Sequence, residues 1–138
     1  MDPTAKITSP LQPAPTDGTG DIAAPNDAKP DRSVVYRRLD GIDLHLHVFT
    51  PTGPAKIRPG IVLFHGGAWR KGSPSQFFWQ ARYLADRGLV AISAQYRLIK
   101  QGASTVADCI DDARAAFRHV RTHAADFGID PGRLAAGG

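Results

Sequence analysis

The fold is decided by one stretch near the middle of the chain, Gly60-Ile61-Val62-Leu63-Phe64-His65-Gly66-Gly67-Ala68-Trp69. Its first half is continuously apolar, which is typical of a strand that is covered on both faces in a parallel sheet. Its second half contains two adjacent glycines and follows the strand without a linker. The stretch therefore predicts a buried strand of an α/β protein with a tight loop at its carboxyl end.

Two strands precede this stretch. Residues 34–39 have the apolar and aromatic content of a strand, and Asp40-Gly41 predicts a tight turn after it. Residues 42–48 alternate strictly between apolar and polar side chains. Because strand side chains point alternately to opposite faces, this pattern indicates an antiparallel strand with one face in water.

Two helices and two strands are predicted after the stretch. Ser73-Pro74 is typical of a helix start and Gly88 of its end, and residues 89–94 form another continuously apolar strand. Gly128 then ends a longer helix, and Asp130-Pro131-Gly132 predicts a turn before a last strand at 133–136. The longer helix is predicted from one apolar stripe with spacings of 3 and 4, which consists of Val106, Ile110, Ala113, Phe117, Val120, Ala124 and Phe127.

The predicted order is β-β-β-α-β-α-β. Two antiparallel strands followed by parallel βα units predict the N-terminal portion of a three-layer α/β sheet. Residues 1–32 are rich in Pro, Ala and Asp with few apolar side chains, so we expect a disordered leader there and an ordered domain at 33–138.

Composition narrows the function classes. The net charge is +4 and the basic residues are scattered, so no basic stripe indicates a nucleic-acid partner. Cys109 is the single cysteine and cannot form an intramolecular disulfide. No stretch is apolar enough to predict a membrane span, and no signal peptide is visible, which leaves a cytoplasmic location as the default expectation.

The glycine loop after the third strand is the first feature that indicates chemistry. Acyl transfer develops negative charge on a carbonyl oxygen, and backbone N–H groups fixed in advance stabilise that charge. Glycines allow the main chain to turn sharply and to approach a substrate closely. Residues 65–69 therefore predict an oxyanion hole, with a tight turn of no chemical role as the alternative.

The last residues of the chain supply the second feature. Leu134-Ala135-Ala136-Gly137-Gly138 resembles the strand that enters a nucleophile elbow, G-x-S-x-G. Gly138 would be the first glycine of that elbow, and the serine would follow two residues later. We therefore expect the serine, acid and histidine of a catalytic triad to lie outside this chain, and the chain alone to be inactive.

Four blocks, in this order and spacing, resemble one superfamily. They are His65-Gly66-Gly67-Ala68-Trp69, Gln95-Tyr96-Arg97-Leu98, the segment 127–133 and the final Ala-Ala-Gly-Gly. They are similar to α/β-hydrolases of the hormone-sensitive-lipase-like and bifunctional-deacetylase/feruloyl-esterase groups. The resemblance implies a serine esterase for acetyl, short-acyl or feruloyl esters, with a small-molecule substrate, no cofactor and no metal.

The resemblance also implies roles for the loop residues. The N–H groups of Gly67 and Ala68 would face the oxyanion, and Gly66 would make the turn. His65 and Trp69 would contact the substrate, with simple packing as the alternative for Trp69. Ala68 stands where the family usually has a third glycine, which implies a less flexible loop.

Two other functions remain open. The H-G-G-x-W spelling also resembles arylformamidases, which cleave an amide with the same machinery. A non-catalytic fragment or module with the hydrolase fold is the second alternative. Residues 99–102 replace the A-P-E that often follows Tyr-Arg-Leu in lipase-like members, which favours the deacetylase/feruloyl-esterase side. The oligomeric state is left open.

No catalytic or metal-binding role is expected for the other titratable residues. The pairs His45/His47 and His119/His123 are expected on solvated faces, because no carboxylate or cysteine supports metal binding beside them. Cys109 is expected to be a small buried apolar residue. The remaining acidic residues of the long helix are expected to form surface ion pairs with its arginines; these are Asp108, Asp111 and Asp112 with Arg114 and Arg118.

Overall fold

A computed structural model describes residues 27–54 and 56–138 of the chain. In this part, one five-stranded mixed sheet has a helix packed on each face, so the predicted three-layer α/β architecture is confirmed. The strands are β1 (Arg32–Leu39), β2 (Ile42–Phe49), β3 (Arg58–Phe64), β4 (Val90–Ala94), β5 (Leu98–Ile99), β6 (Gly102–Ala103) and β7 (Ile129–Gly137), and the helices are α1 (Phe78–Ala85) and α2 (Val106–Thr122).

The sheet has the strand order β1-β2-β4-β3-β7, and the short strands β5 and β6 form a separate two-stranded sheet. The pairs β1/β2 and β2/β4 are antiparallel, whereas β3/β4 and β3/β7 are parallel. This is the predicted arrangement of two antiparallel strands followed by parallel βα units. The carboxyl ends of β3, β4 and β7 consequently meet at one edge of the sheet.

The two faces of the sheet are covered by different helices. Ala81 and Ala85 of α1 pack with Phe49, Leu63 and Ala91 on one face. On the other face, α2 and the turn after it pack against alternate strand positions, which include Leu46, Val48, Val62, Val90 and Ile92. The continuously apolar strands predicted at β3 and β4 are therefore buried on both faces.

Both helices begin and end close to the predicted residues. Pro74 starts a 3-10 turn, Pro74–Phe77, that leads into α1, and Gly88 follows α1 with a φ of +97°. A capping box joins Thr105 and Asp108 at the start of α2. The apolar stripe predicts one helix as far as Phe127, but α2 ends at Thr122. The last residues of the stripe lie in a 3-10 turn, Ala124–Phe127, which is followed by the left-handed Gly128.

The ordered domain begins before the predicted boundary at residue 33. Arg32 is the first residue of β1, and the N–H of Asp31 donates to the carbonyl of Val48 at 2.8 Å. The Asp31 carboxylate also accepts from the N–H of Thr50 at 2.7 Å and pairs with Arg82 at 2.8 Å. Residues 1–26 of the predicted leader lie outside the described residues.

The predicted turn at Asp130-Pro131-Gly132 lies inside β7 rather than before it. The register against β3 passes from Arg58↔Ile129 directly to Gly60↔Leu134, so the turn residues form an irregularity in the strand. The carboxylate of Asp130 accepts from the N–H of Gly132 at 2.9 Å and from Arg133 at 2.9 Å. The segment 134–137 then runs parallel to β3, as predicted for residues 133–136.

The prediction for Asp112 is wrong, because its side chain is fully buried and bound by arginines from other elements. Arg37 of β1 donates to Oδ1 at 3.0 Å. Arg97, which follows β4, donates its backbone N–H, Nε and Nη2 to the two carboxylate oxygens at 3.1, 2.7 and 3.1 Å. The carboxylate points into the protein and joins three elements, rather than forming a surface pair with Arg114 or Arg118.

The described residues do not cover the N-terminal half of the apolar stripe of α2. Val106 and Ile110 remain 38% and 37% exposed, whereas Val120 at the other end is fully buried. Beside Ile110, α2 and the carboxyl end of β7 border an apolar groove of about 670 Å³. In the described ranges, no helix is long and apolar enough to cross a membrane.

We predict that replacing Asp112 by asparagine lowers the free energy of unfolding by about 1.5–3 kcal/mol, because the partly buried Arg37 and Arg97 lose charge-assisted hydrogen bonds to a fully buried carboxylate. Asp111→Asn is the matched control: Asp111 also faces Arg37, at 3.6 Å, but its side chain is 66% exposed. We expect the control to change the free energy by less than about 0.5 kcal/mol. Urea denaturation followed by tryptophan fluorescence measures both, and equal midpoints for the two variants would contradict the assignment.

We predict that the groove beside α2 binds anilinonaphthalene sulfonate. Ile110→Gln should weaken dye binding roughly threefold, because it removes apolar surface from the groove wall. Val106→Gln is the matched control, since Val106 has the same exposure on the same helix but does not line the groove. Fluorescence titration distinguishes the two variants, and equal weakening by both would show that the dye binds elsewhere.

Candidate active site

The glycine loop, defined here as residues 65–72, leaves β3 at the edge where the parallel strands end. β4 ends at Ala94 on one side of β3, and β7 ends at Gly137 on the other. Functional groups of α/β proteins collect at this edge, because the loops that leave the strands lie side by side there. The predicted position of the loop is therefore confirmed.

Gly67 is the residue at which the loop turns. Its φ is +131°, and a Cβ atom at this position would overlap the carbonyl oxygen of Lys71. The carbonyl of Gly67 accepts from the N–H groups of Arg70 and Lys71 at 3.1 and 3.2 Å, which closes the turn. Gly66 has no positive φ and has open space for a Cβ, so the turn is made by Gly67 and not, as predicted, by Gly66.

The turn continues through two residues that are not glycine. Ala68 and Trp69 have φ values of +53° and +64°, in the left-handed region. Each costs about 1–2 kcal/mol relative to a right-handed conformation. Such strain persists only where surrounding contacts impose it, and it is common at functional sites.

The N–H groups of Gly67 and Ala68 are the candidate oxyanion donors. Among the described residues, neither donates to a backbone or side-chain acceptor, whereas the turn uses the carbonyl of Gly67 and the N–H groups of Arg70 and Lys71. Polar backbone groups that are not hydrogen-bonded within the protein are available to a ligand. The geometry thus leaves adjacent donors at the carboxyl edge of the sheet, as an oxyanion hole requires.

His65 is buried and held in place, with 4% of its surface exposed. Its ring stacks on Tyr96 with centroids 4.5 Å apart, and its Nδ1 lies 2.9 Å from the carbonyl oxygen of Gly66. The hydroxyl of Tyr96 donates to the carbonyl of His65 at 2.5 Å. These contacts suit a residue that fixes the start of the glycine loop.

Trp69 stands at the other end of the turn and is 37% exposed. It makes an edge contact with Tyr96, with centroids 5.8 Å apart, and its carbonyl accepts from the N–H of Ile99 at 2.8 Å. Its ring therefore has both a packing contact and a free surface. It also borders the apolar groove, whose other walls include Phe64, Ile110, Phe117 and Ala136, with Arg114 and Arg118 beside them.

Gly138 brings the end of β7 directly beside the glycine loop. A Cβ at this position would overlap the carbonyl oxygen of Phe64, the residue before His65. β7 pairs with β3 in parallel register up to Leu63↔Gly137. The chain thus leaves β7 next to the turn that holds the candidate donors.

Of the two histidine pairs, His45, His47 and His119 are partly buried, contrary to the prediction of solvated faces, whereas His123 is exposed as predicted. His47 packs against Phe78 of α1, with centroids 5.3 Å apart, and burial lowers its pKa. His119 is half-buried near Tyr36 and Phe127. Its pKa is lowered mainly by this burial and secondly by the neighbouring His123. No cluster of three metal-ligating side chains occurs within residues 27–54 and 56–138.

Cys109 is buried as predicted, and burial raises the pKa of its thiol. Its Sγ lies 3.5 Å from the carbonyl oxygen of Thr105, and it packs with Tyr96, Leu98 and Ala103. Asp108 caps the N-terminus of α2, and hydrogen bonds from the N–H groups of Thr105 and Ser104 lower the pKa of its carboxyl. Cys109 thus serves in packing and Asp108 in capping the helix.

Tyr96 and Asp112 are site residues that sequence reasoning missed. Tyr96 lies within the Gln95-Tyr96-Arg97-Leu98 block, but nothing in that block indicates contact with His65 and Trp69. Asp112 lies on the same helix as Arg114 and Arg118, which favours the local pairing. Its actual partners, Arg37 and Arg97, are 75 and 15 residues away in sequence.

Comparison with solved structures gives an esterase of the same fold. The chain is 43% identical to the propionate-bound esterase Est2 of Thermogutta terrifontis, with a TM-score of 0.74. The superposition covers 83% of this chain and 42% of that one. The chain thus spans less than half the length of this relative.

Two curated esterases are also similar to this chain in sequence. The carboxylesterase NlhH of Mycobacterium tuberculosis is 33% identical over 110 residues, which is 78% of this chain and 33% of that protein. The probable isoprenylcysteine alpha-carbonyl methylesterase ICMEL1 of rice is 33% identical over 103 residues, which is 75% of this chain and 23% of that protein. The similarity covers most of this chain and a minority of each relative.

The match to a family model is consistent with these relatives. The BD-FAE model matches residues 46–138, which include the glycine loop, the 95–98 block and the end of β7. The predicted resemblance to the deacetylase/feruloyl-esterase group is therefore confirmed. The chain belongs to the BD-FAE family of the α/β-hydrolase fold.

Proposed function

We propose that this chain provides the oxyanion-binding part of a serine carboxylic-ester hydrolase that acts on small-molecule esters with acetyl, other short acyl or feruloyl groups. The observation that carries the proposal is the strained turn at Gly67 and Ala68, whose N–H groups bind no other described group. Its position at the carboxyl edge of the sheet, in a member of the BD-FAE family, supports acyl transfer as the reaction.

In the proposed reaction, a serine oxygen attacks the ester carbonyl carbon and the carbonyl oxygen becomes negatively charged. The N–H groups of Gly67 and Ala68 donate to that oxygen. The donors are fixed before the reaction, so no reorganisation is required when the charge develops. Collapse of the tetrahedral intermediate then expels the alcohol, and water releases the acyl group in a second step.

The triad is proposed to come from residues that follow Gly138 in the full-length polypeptide. The placement of Gly138 against Phe64 supports this, because a serine two residues further along would lie close to the glycine loop. The greater length of the esterase relatives supports it as well. No cofactor or metal takes part in the proposed reaction.

Two loop residues receive different roles in the proposal. Trp69 has an exposed ring beside Ala68 and contacts the acyl group of the substrate. His65 is buried against Tyr96, so it orients the loop and does not reach the reacting atoms. The arylformamidase alternative uses the same donors, so it differs only in the bond that is cleaved.

We predict that Gly67→Ala lowers kcat of the full-length polypeptide on p-nitrophenyl acetate by roughly 10²–10³, because the added methyl group displaces the turn that aims the donors. Gly66→Ala is the matched control for folding, since a Cβ there meets no atom within 4 Å. We expect the control to retain the melting temperature of the parent. A Gly67→Ala variant with unchanged kcat would remove the loop from the mechanism. Comparison with an N-formyl anilide as substrate decides between ester and amide cleavage.

We predict that the 138-residue chain alone does not react with a fluorophosphonate probe, because the proposed serine lies beyond Gly138. The full-length polypeptide should be labelled once per molecule. Intact-mass spectrometry gives the number of adducts on each. An adduct on a serine of the 138-residue chain would refute the proposed placement of the nucleophile.

A further inference from the structure

We propose that Tyr96 is a positioning residue for the oxyanion donors, acting through both ends of the turn at Gly67. The inference rests on the proposed function for its effect on catalysis. Tyr96 lies in the clamp segment, defined here as residues 96–99, which follows β4 and runs beside the glycine loop.

At the start of the turn, Tyr96 holds His65 by two different contacts. Its hydroxyl donates to the carbonyl of His65 at 2.5 Å, and its ring stacks on the imidazole with an interplanar angle of 14°. His65 and Tyr96 are 4% and 5% exposed, so water does not replace either contact. The backbone that enters Gly66 and Gly67 is thereby fixed in position.

At the end of the turn, the same segment holds Trp69. The ring of Tyr96 meets the indole edge-on at 5.8 Å, and the N–H of Ile99 donates to the Trp69 carbonyl at 2.8 Å. The clamp segment thus contacts the residues on both sides of Gly67 and Ala68. No contact is needed on the donors themselves, which keeps their N–H groups free for an oxyanion.

A clamp is required because the loop is strained. Ala68 and Trp69 are both left-handed without being glycine, so the turn would relax if its ends were released. A relaxed turn would point the N–H groups away from the developing charge. A small displacement of positioned groups is sufficient to lower the rate strongly.

The clamp segment is itself anchored to α2 through Arg97 and Asp112. Arg97 follows Tyr96 directly and binds the buried carboxylate of Asp112 through its backbone N–H and its guanidinium. Arg97 also donates to the carbonyl of Gly102 at 3.2 Å. Tyr96 therefore transmits a fixed position from α2 to the glycine loop.

The test compares Tyr96→Phe with Tyr36→Phe in the full-length polypeptide. Both changes remove a tyrosine hydroxyl that donates to a backbone carbonyl, at 2.5 Å to His65 and at 2.6 Å to Gln95. Only the first carbonyl belongs to the glycine loop. We expect Tyr96→Phe to lower kcat by roughly 10-fold to 100-fold with KM nearly unchanged, because donor aim matters most in the transition state. Tyr36→Phe removes a hydrogen bond to the peptide group that precedes Tyr96 but none to the glycine loop, so it should change kcat much less than Tyr96→Phe does.

Amide hydrogen exchange of the full-length polypeptide, measured without substrate, tests the clamp independently of catalysis. Tyr96→Phe should raise exchange in peptides that cover the glycine loop, whereas exchange in β2 and β4 stays at the parent level. Tyr36→Phe should not raise exchange in the loop. Equal effects of the two variants in both experiments, or an increase spread uniformly over the chain, would overturn the proposal. Absence of esterase activity in the parent, together with a loop-specific increase, would refute the proposed function and leave the clamp standing.

Discussion

The buried carboxylate of Asp112 is the interaction on which the arrangement of the site depends. It joins Arg37 of β1, Arg97 after β4, and α2, which are far apart in sequence and pack on different parts of the sheet. A buried charge without partners is strongly destabilising, so the three elements hold one another at fixed distances. Arg97 in turn places Tyr96, and Tyr96 places His65 at the start of the glycine loop.

The loop combines strain with free donors, and these two properties have one physical cause. In the turn through Gly67, Ala68 and Trp69, which all have positive φ, the carbonyls of Gly67 and Trp69 accept backbone hydrogen bonds, whereas the N–H groups of Gly67 and Ala68 donate to no described group. Such a turn is unfavourable by itself and is maintained by contacts at its ends. The energy of folding is thereby used to hold dipoles in the orientation that a transition state requires, which is the principle of electrostatic preorganisation.

Periodicity in the sequence predicts the five strands of the main sheet, the two helices and the layer order, because burial on one or both faces repeats along each of these elements. The two-residue strands β5 and β6 are too short to show a period. The position of the glycine loop followed from its adjacency to β3. The partners of Asp112 and the contacts of Tyr96 did not follow, since they join residues that only the fold brings together. The burial of His47 was missed for the same reason: α1 covers a strand face that reads as polar. The positive φ angles of Ala68 and Trp69 cannot be predicted from their residue types, since neither residue is glycine.

The most direct test of the account is the position of the donors relative to a bound oxyanion mimic. A crystal structure of the full-length polypeptide after reaction with a phosphonate would contain a phosphoryl oxygen in the place of the transition-state oxygen. The account predicts that this oxygen lies about 2.7–3.1 Å from the backbone nitrogens of both Gly67 and Ala68. A phosphoryl oxygen bound by other groups, with these two nitrogens turned away from it, would contradict the account.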